Sequence, residues 1–133
     1  MRLKSIILQN IRSYENQELV FPNGSVLLAG DIGSGKSTVM LAIEFAIFGV
    51  KKGELPASTL LRHGKKNASV ELRMQIDDKD VTILRTLKRV ANEIKQERGH
   101  ITINGVRKEG TAEELKALIL DILGYPKNLL RKG

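Results

Sequence analysis

The sequence predicts a single-domain α/β fold, and three observations support this prediction. A continuous apolar run at residues 25–29 ends at a glycine-rich segment, and an apolar stretch over residues 36–48 follows it. That order is typical of a buried strand that leads into a helix. Residues 68–76 and 81–87 alternate apolar and polar side chains, which predicts half-exposed strands. The length of 133 residues is enough for one domain.

The residues before the glycine-rich segment predict short strands. Residues 6–11 form an apolar segment, and residues 18–21 form a second one that ends at the turn residues 22–24. The stretch 36–48 is apolar almost all round, and Gly49 follows it directly. This pattern predicts a buried helix that ends at a glycine.

The second half of the chain predicts a layer of antiparallel strands and one capped helix. Residues 50–66 predict a loop with at most a short helical turn at 58–62, and residues 95–98 break the strand pattern. Asn104-Gly105 is the dipeptide favoured in tight hairpins, because both positions tolerate positive φ. Thr111 and Glu114 have capping-box spacing and predict the start of a helix that Gly124 ends.

The charge of the chain is uneven along its length. The net charge is +7, yet residues 1–50 carry four basic and four acidic groups, whereas residues 51–100 carry twelve basic and seven acidic groups. Such an excess attracts polyanions, above all nucleic acid, and a solvated lysine-rich surface is the alternative. The absence of cysteine excludes disulfides and a thiol nucleophile. We expect a cytoplasmic protein without a membrane partner, because neither a signal peptide nor an apolar run of about 18–20 residues is present.

The segment from Gly30 to Ser37 fits the phosphate-loop pattern G-x-x-x-x-G-K-[ST]. Its glycines, with Gly33 and Gly35 inside the loop, let successive backbone N–H groups point at a phosphate. Lys36 supplies a charge for the β- and γ-phosphates, and the Ser37 hydroxyl can ligate Mg²⁺. A strand before the loop and a helix after it give the context that the motif requires, so the chain is expected to bind a nucleoside phosphate.

A hydrolase of this class also needs an acidic residue at the end of an apolar strand, to hold Mg²⁺ and orient water. Asp121 is the aspartate that follows an apolar run, but it falls inside the predicted helix, on the polar side. His63 and His100 are isolated, and we expect them at the surface rather than on a metal. The sequence therefore predicts one side of an active site.

Several stretches together resemble the N-terminal part of the SMC, SbcC and Rad-fifty-type ATPases, most of all the archaeal SbcC or Rad-fifty-like DNA repair proteins. Besides the phosphate loop, they are LQNIRSY at 8–14, FPNG at 21–24, AIEFA at 42–46, LLRHG at 60–64 and LGYP at 123–126. The resemblance spans nearly the whole chain.

The resemblance implies a P-loop NTPase fold, namely an ABC-ATPase-type N-terminal half-head with a mixed sheet, a Walker A helix and an antiparallel β layer. Residues 1–133 would be a single ATP-binding lobe, without the C-terminal lobe and the coiled coil of the family. The implied cofactors are ATP and Mg²⁺. The implied partners are the C-terminal lobe, a second head, DNA, and a nuclease reached through the coiled coil. The implied process is double-strand break repair or chromosome maintenance, and the lobe alone would bind ATP with little turnover.

The resemblance also assigns residues, position by position. Arg62 matches an arginine near ATP and would stabilise charge on the transferring phosphate, with a surface arginine in a basic loop as the alternative. Asp31 and Ile32 depart from the family, and we expect Asp31 to face solvent, because an inward carboxylate would repel phosphate. Lys36 and Arg62 are the implied catalytic residues, and Ser37 is the implied Mg²⁺ ligand. The implied nucleotide-binding residues are Asn10, Arg12, Ser13, Gly30, Gly33, Ser34, Gly35, Lys36, Ser37 and Thr38.

Two other interpretations stay open at this point. A RecF-like protein shares the style of the opening segment and has the head without the coiled coil. A DNA-binding module with a vestigial nucleotide site is the third interpretation. Its DNA contacts would come from Arg62, Lys65, Lys66, Arg85, Lys88, Arg89, Lys95 and Arg98.

Overall fold

The structure is a computed structural model that describes residues 2–21, 36–49, 60–91 and 93–124. Within these ranges it contains seven strands and two helices. They are β1 (Arg2–Ile11), β2 (Tyr14–Val20), α1 (Lys36–Phe48), β3 (Asn67–Ile76), β4 (Lys79–Val90), β5 (Glu93–Gln96), β6 (Gly99–Ile103), β7 (Val106–Gly110) and α2 (Ala112–Leu123).

The described strands form one sheet in the order β2-β1-β3-β4-β6-β7, with β5 paired to β4 as well. All of these pairs are antiparallel. Ile6 lies opposite Leu72, Leu72 opposite Ile83, and Ile83 opposite Ile101, so one apolar row crosses four strands. All four side chains of that row are fully buried.

The core lies between this inner face of the sheet and the two helices. The alternation in β3 and β4 places every second side chain inward, and these side chains join one cluster with residues of α1 and α2. Burial of this apolar area is the main favourable contribution to folding. The buried helical residues in the cluster are Val39, Ala42, Ile43, Phe45, Ala46, Ile47, Leu115 and Ile119.

The structure confirms three predictions: the capped start of α2, the glycines that end both helices, and the hairpin. The Thr111 hydroxyl accepts a hydrogen bond from the Glu114 amide at 3.2 Å, and the Glu114 carboxylate accepts one from the Thr111 amide at 2.8 Å. Gly49 and Gly124 follow α1 and α2 with φ of 76° and 80°. Asn104 and Gly105 have φ of 48° and 85° between β6 and β7, as a hairpin of this type requires.

The structure also differs from the sequence predictions. The expected break at residues 95–98 starts too early, because β5 continues to Gln96 through pairing with the end of β4. In β5, Ile94 is half-buried and Lys95 is exposed, as alternation in a strand requires. A segment of four residues is too short to be predicted as a strand from its own sequence, without the strand that pairs with it. Met40 in α1 is 43% exposed, so the helix is not buried all round within the described residues. The predicted strand at 25–29, which a mixed sheet needs, lies outside the described residues.

Candidate functional site

The end of β1 and the turn to β2, residues 10–13, which we call the Arg12 turn, contain the predicted nucleotide-binding residues Asn10, Arg12 and Ser13. Asn10 and Arg12 adopt φ of 55° and 50°, in the left-handed region. Ile11 between them is fully buried, whereas Arg12 and Ser13 are exposed. The side chain of the central residue therefore anchors the turn in the core, and the polar residues around it face outward.

Left-handed backbone costs about 1–2 kcal/mol for a residue with a Cβ, and asparagine tolerates it best. The surrounding contacts must therefore hold this turn. The Arg12 amide donates to the carbonyl of Leu60 at 2.8 Å, and the Arg62 amide donates to the carbonyl of Asn10 at 2.8 Å. The Asn10 side-chain amide donates to the carbonyl of Asn67 at 2.9 Å. Backbone conformations of this kind cluster at binding and catalytic sites.

Arg62 completes the support of the turn with its side chain. Its Nη1 donates to the carbonyl of Arg12 at 2.9 Å, and its Nη2 lies 3.5 Å from Oε1 of Glu15. The guanidinium is thus committed on one side to the backbone of the turn, and 30% of the side chain stays exposed. The Arg62 guanidinium therefore lies against the backbone of Arg12, and the Arg12 side chain itself is exposed.

The helix α1 begins at Lys36, directly after the glycine-rich segment. Its first turn carries no acidic residue that would repel an anion. The amino end of any helix has N–H groups without an intrahelical acceptor and carries the positive end of the helix dipole, and both favour an anion. Thr38 in this turn is 5% exposed, and Val39 packs in the core. The side chains of Lys36 and Ser37, and Gly30, Gly33, Ser34 and Gly35, lie outside the described residues, as do Asp31 and Ile32.

Comparison with known protein families places this arrangement in context. Residues 5–130 match the AAA domain family, which covers nearly the whole chain. The chain belongs to this family. Family membership and the fitting loop motif together make this a nucleotide-binding chain.

A curated relative shows which branch of the family is similar. The "DNA double-strand break repair Rad50 ATPase" of Methanocaldococcus jannaschii is 30% identical over 131 residues, which are 97% of this chain and 12% of the relative. The corresponding protein of Methanococcus maripaludis is 28% identical over 123 residues, again 12% of its length. The chain therefore spans about an eighth of the length of these relatives.

The solved structures agree on the fold. A chain from a structural study of ATP-driven dimerization and DNA-stimulated activation of SMC ATPases superimposes with a TM-score of 0.66 at 22% identity. The match covers 96% of this chain and 82% of that one. The recombination mediator protein RecF gives 0.59 at 22% identity, over 85% of this chain and 29% of that one. The chain thus has the fold of the N-terminal lobe of an SMC- and Rad50-type head, as the sequence predicts.

Five of the predicted DNA-binding residues meet at one end of the sheet, which we call the basic end. Lys88 of β4 pairs with Lys95 of β5, and both are exposed. Arg89 donates from Nε to the carbonyl of Lys65 at 3.1 Å and from its amide to the carbonyl of Lys66 at 2.7 Å. Residues 62–66 connect this end to the Arg12 turn, so the two features adjoin.

Three predicted DNA-binding residues lie elsewhere, and Arg62, which supports the Arg12 turn, is one of them. Arg98 is exposed and close enough to Glu114 to act on it electrostatically: hydrogen bonds from Thr111 lower the pKa of Glu114 most, and Arg98 adds to this. The prediction for Arg85 is wrong. Its side chain is 1% exposed and bonds to the carbonyls of Ala46 and Ile47, so it is out of reach of a DNA phosphate.

The outer face of the sheet carries pairs of opposite charge. Glu71 and Arg73 lie 3.0 Å apart, and Arg107 and Glu109 lie 3.4 Å apart. The predicted surface positions of His63 and Asp121 are confirmed, since both are exposed. His100 is half-buried, and its Nδ1 has no hydrogen-bond partner within the described residues. Burial lowers the pKa of His100, and the nearby Arg107 lowers it further.

The described residues lack a metal-ligand cluster and a membrane-spanning helix. They contain no cluster of three or more histidine and acidic side chains arranged around a metal position. Neither helix within these ranges is long and apolar enough to cross a bilayer.

Sequence reasoning misses the contact partners of two predicted residues, Arg12 and Arg85. Glu15 and Leu60 support the Arg12 turn, but only the folded chain brings residues 12–15 and 60–62 together. The sequence predicts Gly49 as a helix stop, yet not as a neighbour of Arg85. The signal that could have found Arg85 is its parity: it shares the inward face of β4 with Ile83 and Leu87.

Proposed function

We propose that this chain is the ATP–Mg²⁺-binding lobe of an SMC/Rad50-type ATPase that acts in DNA double-strand break repair or chromosome maintenance. The start of α1 at Lys36, inside the phosphate-loop motif and directly after its glycine-rich part, carries the proposal. The acid-free first turn of α1 fits the charge of a triphosphate. The names of the Rad50 relatives support the DNA repair context.

In this proposal each part of the site has a role. Lys36 and the loop amides would bind the phosphates, and Ser37 would hold Mg²⁺, which would neutralise phosphate charge. The Arg12 turn lies beside the nucleotide, with Arg62 holding its backbone and adding charge. Hydrolysis needs groups that the described residues do not contain, so a C-terminal lobe and a second head complete the site.

The test is ATP binding and turnover by the purified chain. We expect weak binding of ATP–Mg²⁺ and turnover far below the ~1–10³ s⁻¹ of ordinary enzymes, because the chain has one side of the site. Lys36→Ala should abolish the binding, whereas Lys108→Ala, on the exposed strand β7, should leave it unchanged. Rapid turnover that is lost in Lys36→Ala would show that the site is complete in this chain.

DNA is a proposed partner, and the basic end is the surface that we assign to it. Exposed lysines that face away from the core can neutralise phosphates and release counterions. A cytoplasmic location belongs to this proposal, at the nucleoid if the cell is prokaryotic. A nuclease subunit, reached through a coiled coil, belongs to the same proposal.

The DNA proposal predicts a change in salt dependence. In Lys88→Ala/Lys95→Ala the slope of log K against log salt for duplex DNA should fall by about 2, because each phosphate that is no longer neutralised lowers it by about 0.9. Arg107→Ala/Lys108→Ala removes the same charge from β7 and should change the slope much less. Equal slopes of log K against log salt in the two double variants would show that the basic end is not the surface that binds DNA.

Two alternatives have their own discriminators. The match to RecF shows the fold alone, and a RecF-like head without a coiled coil is the first alternative. Heptad repeats after residue 133 of the complete protein would favour the SMC/Rad50 branch, and a continuous globular lobe would favour RecF. DNA binding that requires the basic end, in a chain that binds no nucleotide, would favour a DNA-binding module.

A further inference from the structure

Arg85 lies in the middle of β4, on the inner face of the sheet. Its neighbours on that face, Ile83 and Leu87, are fully buried and belong to the core. The Arg85 side chain is 1% exposed, and it is among the largest fully buried side chains of the described residues. Arginine is rarely buried to this degree unless its charge is compensated, so its contacts need an explanation.

The guanidinium binds the carboxyl end of α1. Nε donates to the carbonyl of Ala46 at 2.8 Å, and Nη2 donates to the carbonyl of Ile47 at 3.3 Å. Carbonyls in the last turn of a helix lack an intrahelical donor, and the helix dipole places negative charge there. The last turn of α1 contains no basic residue, so the compensating cation comes from β4.

The same guanidinium also reaches the first turn of α2. Nη1 lies 3.4 Å from the carbonyl of Ala112, and Glu113 in this turn stabilises the charge electrostatically. Arg85 thus connects three elements, namely the sheet, the end of α1 and the start of α2. Burial lowers the pKa of Arg85 to about 10, which leaves the side chain charged at pH 7.

Gly49 makes room for this contact. A Cβ at Gly49 would lie 3.0 Å from Nη1 of Arg85 and 3.0 Å from Oε1 of Gln96. Its φ of 76° is also unfavourable for other residues. The end of α1 is therefore shaped to admit a guanidinium, and an apolar side chain on β4 would fill the space without satisfying the carbonyls.

We propose that Arg85 is a positioning residue of the nucleotide site: by holding the carboxyl end of α1 it sets where Lys36 and Ser37, at the amino end, meet the phosphates. This inference rests on the proposed function. A helix of 13 residues is about 20 Å long and moves as one rigid element, so a shift or rotation at one end reaches the other. In enzyme sites, a misplacement of about 1 Å that originates far from the reacting atoms can lower the reaction rate about 100-fold.

The first arm of the test measures ATP–Mg²⁺ affinity of the purified chain by calorimetry. We expect Arg85→Met to weaken binding about tenfold and Arg85→Lys to weaken it less, because lysine keeps the charge but not the planar set of donors. Arg107→Met makes the same change at an exposed site of β7. Leu87→Ala destabilises the same strand without removing a donor, and both controls should bind ATP like the unchanged chain.

The second arm needs no nucleotide and follows the backbone amide signals of Lys36 and Ser37 by NMR. They should shift in Arg85→Lys and Arg85→Met but not in Leu87→Ala or Arg107→Met. Should Arg85→Met fail to fold, Arg85→Lys decides the outcome. Unchanged amide signals and unchanged affinity in Arg85→Lys would overturn the inference, and so would equal effects in Leu87→Ala.

The two arms separate this inference from the proposed function. If the unchanged chain and Lys36→Ala bind ATP equally poorly, the proposed function fails, and the amide signals still test whether Arg85 positions α1. If Lys36→Ala abolishes binding while Arg85→Met binds normally, the positioning role fails and the nucleotide site stands.

Discussion

The two faces of β4 differ in how they accommodate polar groups. On the inner face, the Arg85 side chain is buried and donates hydrogen bonds to helix carbonyls. Its neighbours there, such as Ile83, are fully buried. On the outer face, Thr82, Thr86 and Lys88 keep contact with solvent. Both faces are built from one alternating sequence, so the position of a basic residue in the alternation decides between a structural and a binding role. A count of basic residues in this segment overstates the surface available to a polyanion.

The largest expected effect is on the free energy of unfolding. Substituting two adjacent residues, one on each face of β4, tests the difference between the faces. Ile83→Ala should lower the free energy of unfolding by about 2–5 kcal/mol, because it opens a cavity in the row that crosses four strands. Thr82→Ala, one residue away on the outer face, should change it by less than about 0.5 kcal/mol. Urea unfolding of both variants measures the two values.

Similar losses in the two variants would mean that the outer face is packed as tightly as the inner one. That result would point to a covering element on the outer face. It would also weaken the assignment of the neighbouring basic end to DNA.

A smaller effect is expected at the cap of α2, which holds the helix that Arg85 contacts. Thr111→Ala should lower the free energy of unfolding by about 1 kcal/mol, because the Glu114 amide loses its acceptor. Hydrogen bonds from Thr111 lower the pKa of Glu114 below its ordinary 4.5. The ionised carboxylate therefore stabilises the fold above pH 4.5, and this contribution is lost as the pH falls through the lowered pKa.

Glu114→Gln is the control for the acid range, since glutamine does not titrate. The difference in stability between Glu114→Gln and the unchanged chain should shrink as the pH falls below 4.5. A difference that stays constant down to acid pH would show that ionisation of Glu114 does not stabilise the cap.

The sequence predicts the elements that are specified by residues close to one another along the chain. The alternation of β3 and β4, the capping box at Thr111 and the Asn104-Gly105 turn need no distant partner, and the structure confirms them. The end of α1 at Gly49 is of the same kind. These features depend on neighbours within a few residues along the chain, which a sequence shows directly.

Features that depend on distant partners could not be predicted in this way. Arg12 adopts positive φ although arginine has no local preference for it, because residues 60–62 hold the turn from a distant part of the chain. β5 forms because β4 is available to pair with it. The inward position of Arg85 follows from alternation, but its bonds to α1 depend on how the helix packs against the sheet.

The order of strands in the sheet has a consequence for the entropy of folding. β3 and β4 are joined by two residues, as are β6 and β7, whereas Gln9 of β1 meets Ser69 of β3 across 60 positions. Each doubling of a loop costs about 0.6 kcal/mol, so closing the β1–β3 pair costs roughly 3 kcal/mol more than closing a hairpin. The Arg12 turn belongs to the strand with this high closure cost. A nucleotide that bound both this turn and α1 would therefore stabilise the fold at a junction where closing the chain costs more entropy than closing a two-residue hairpin.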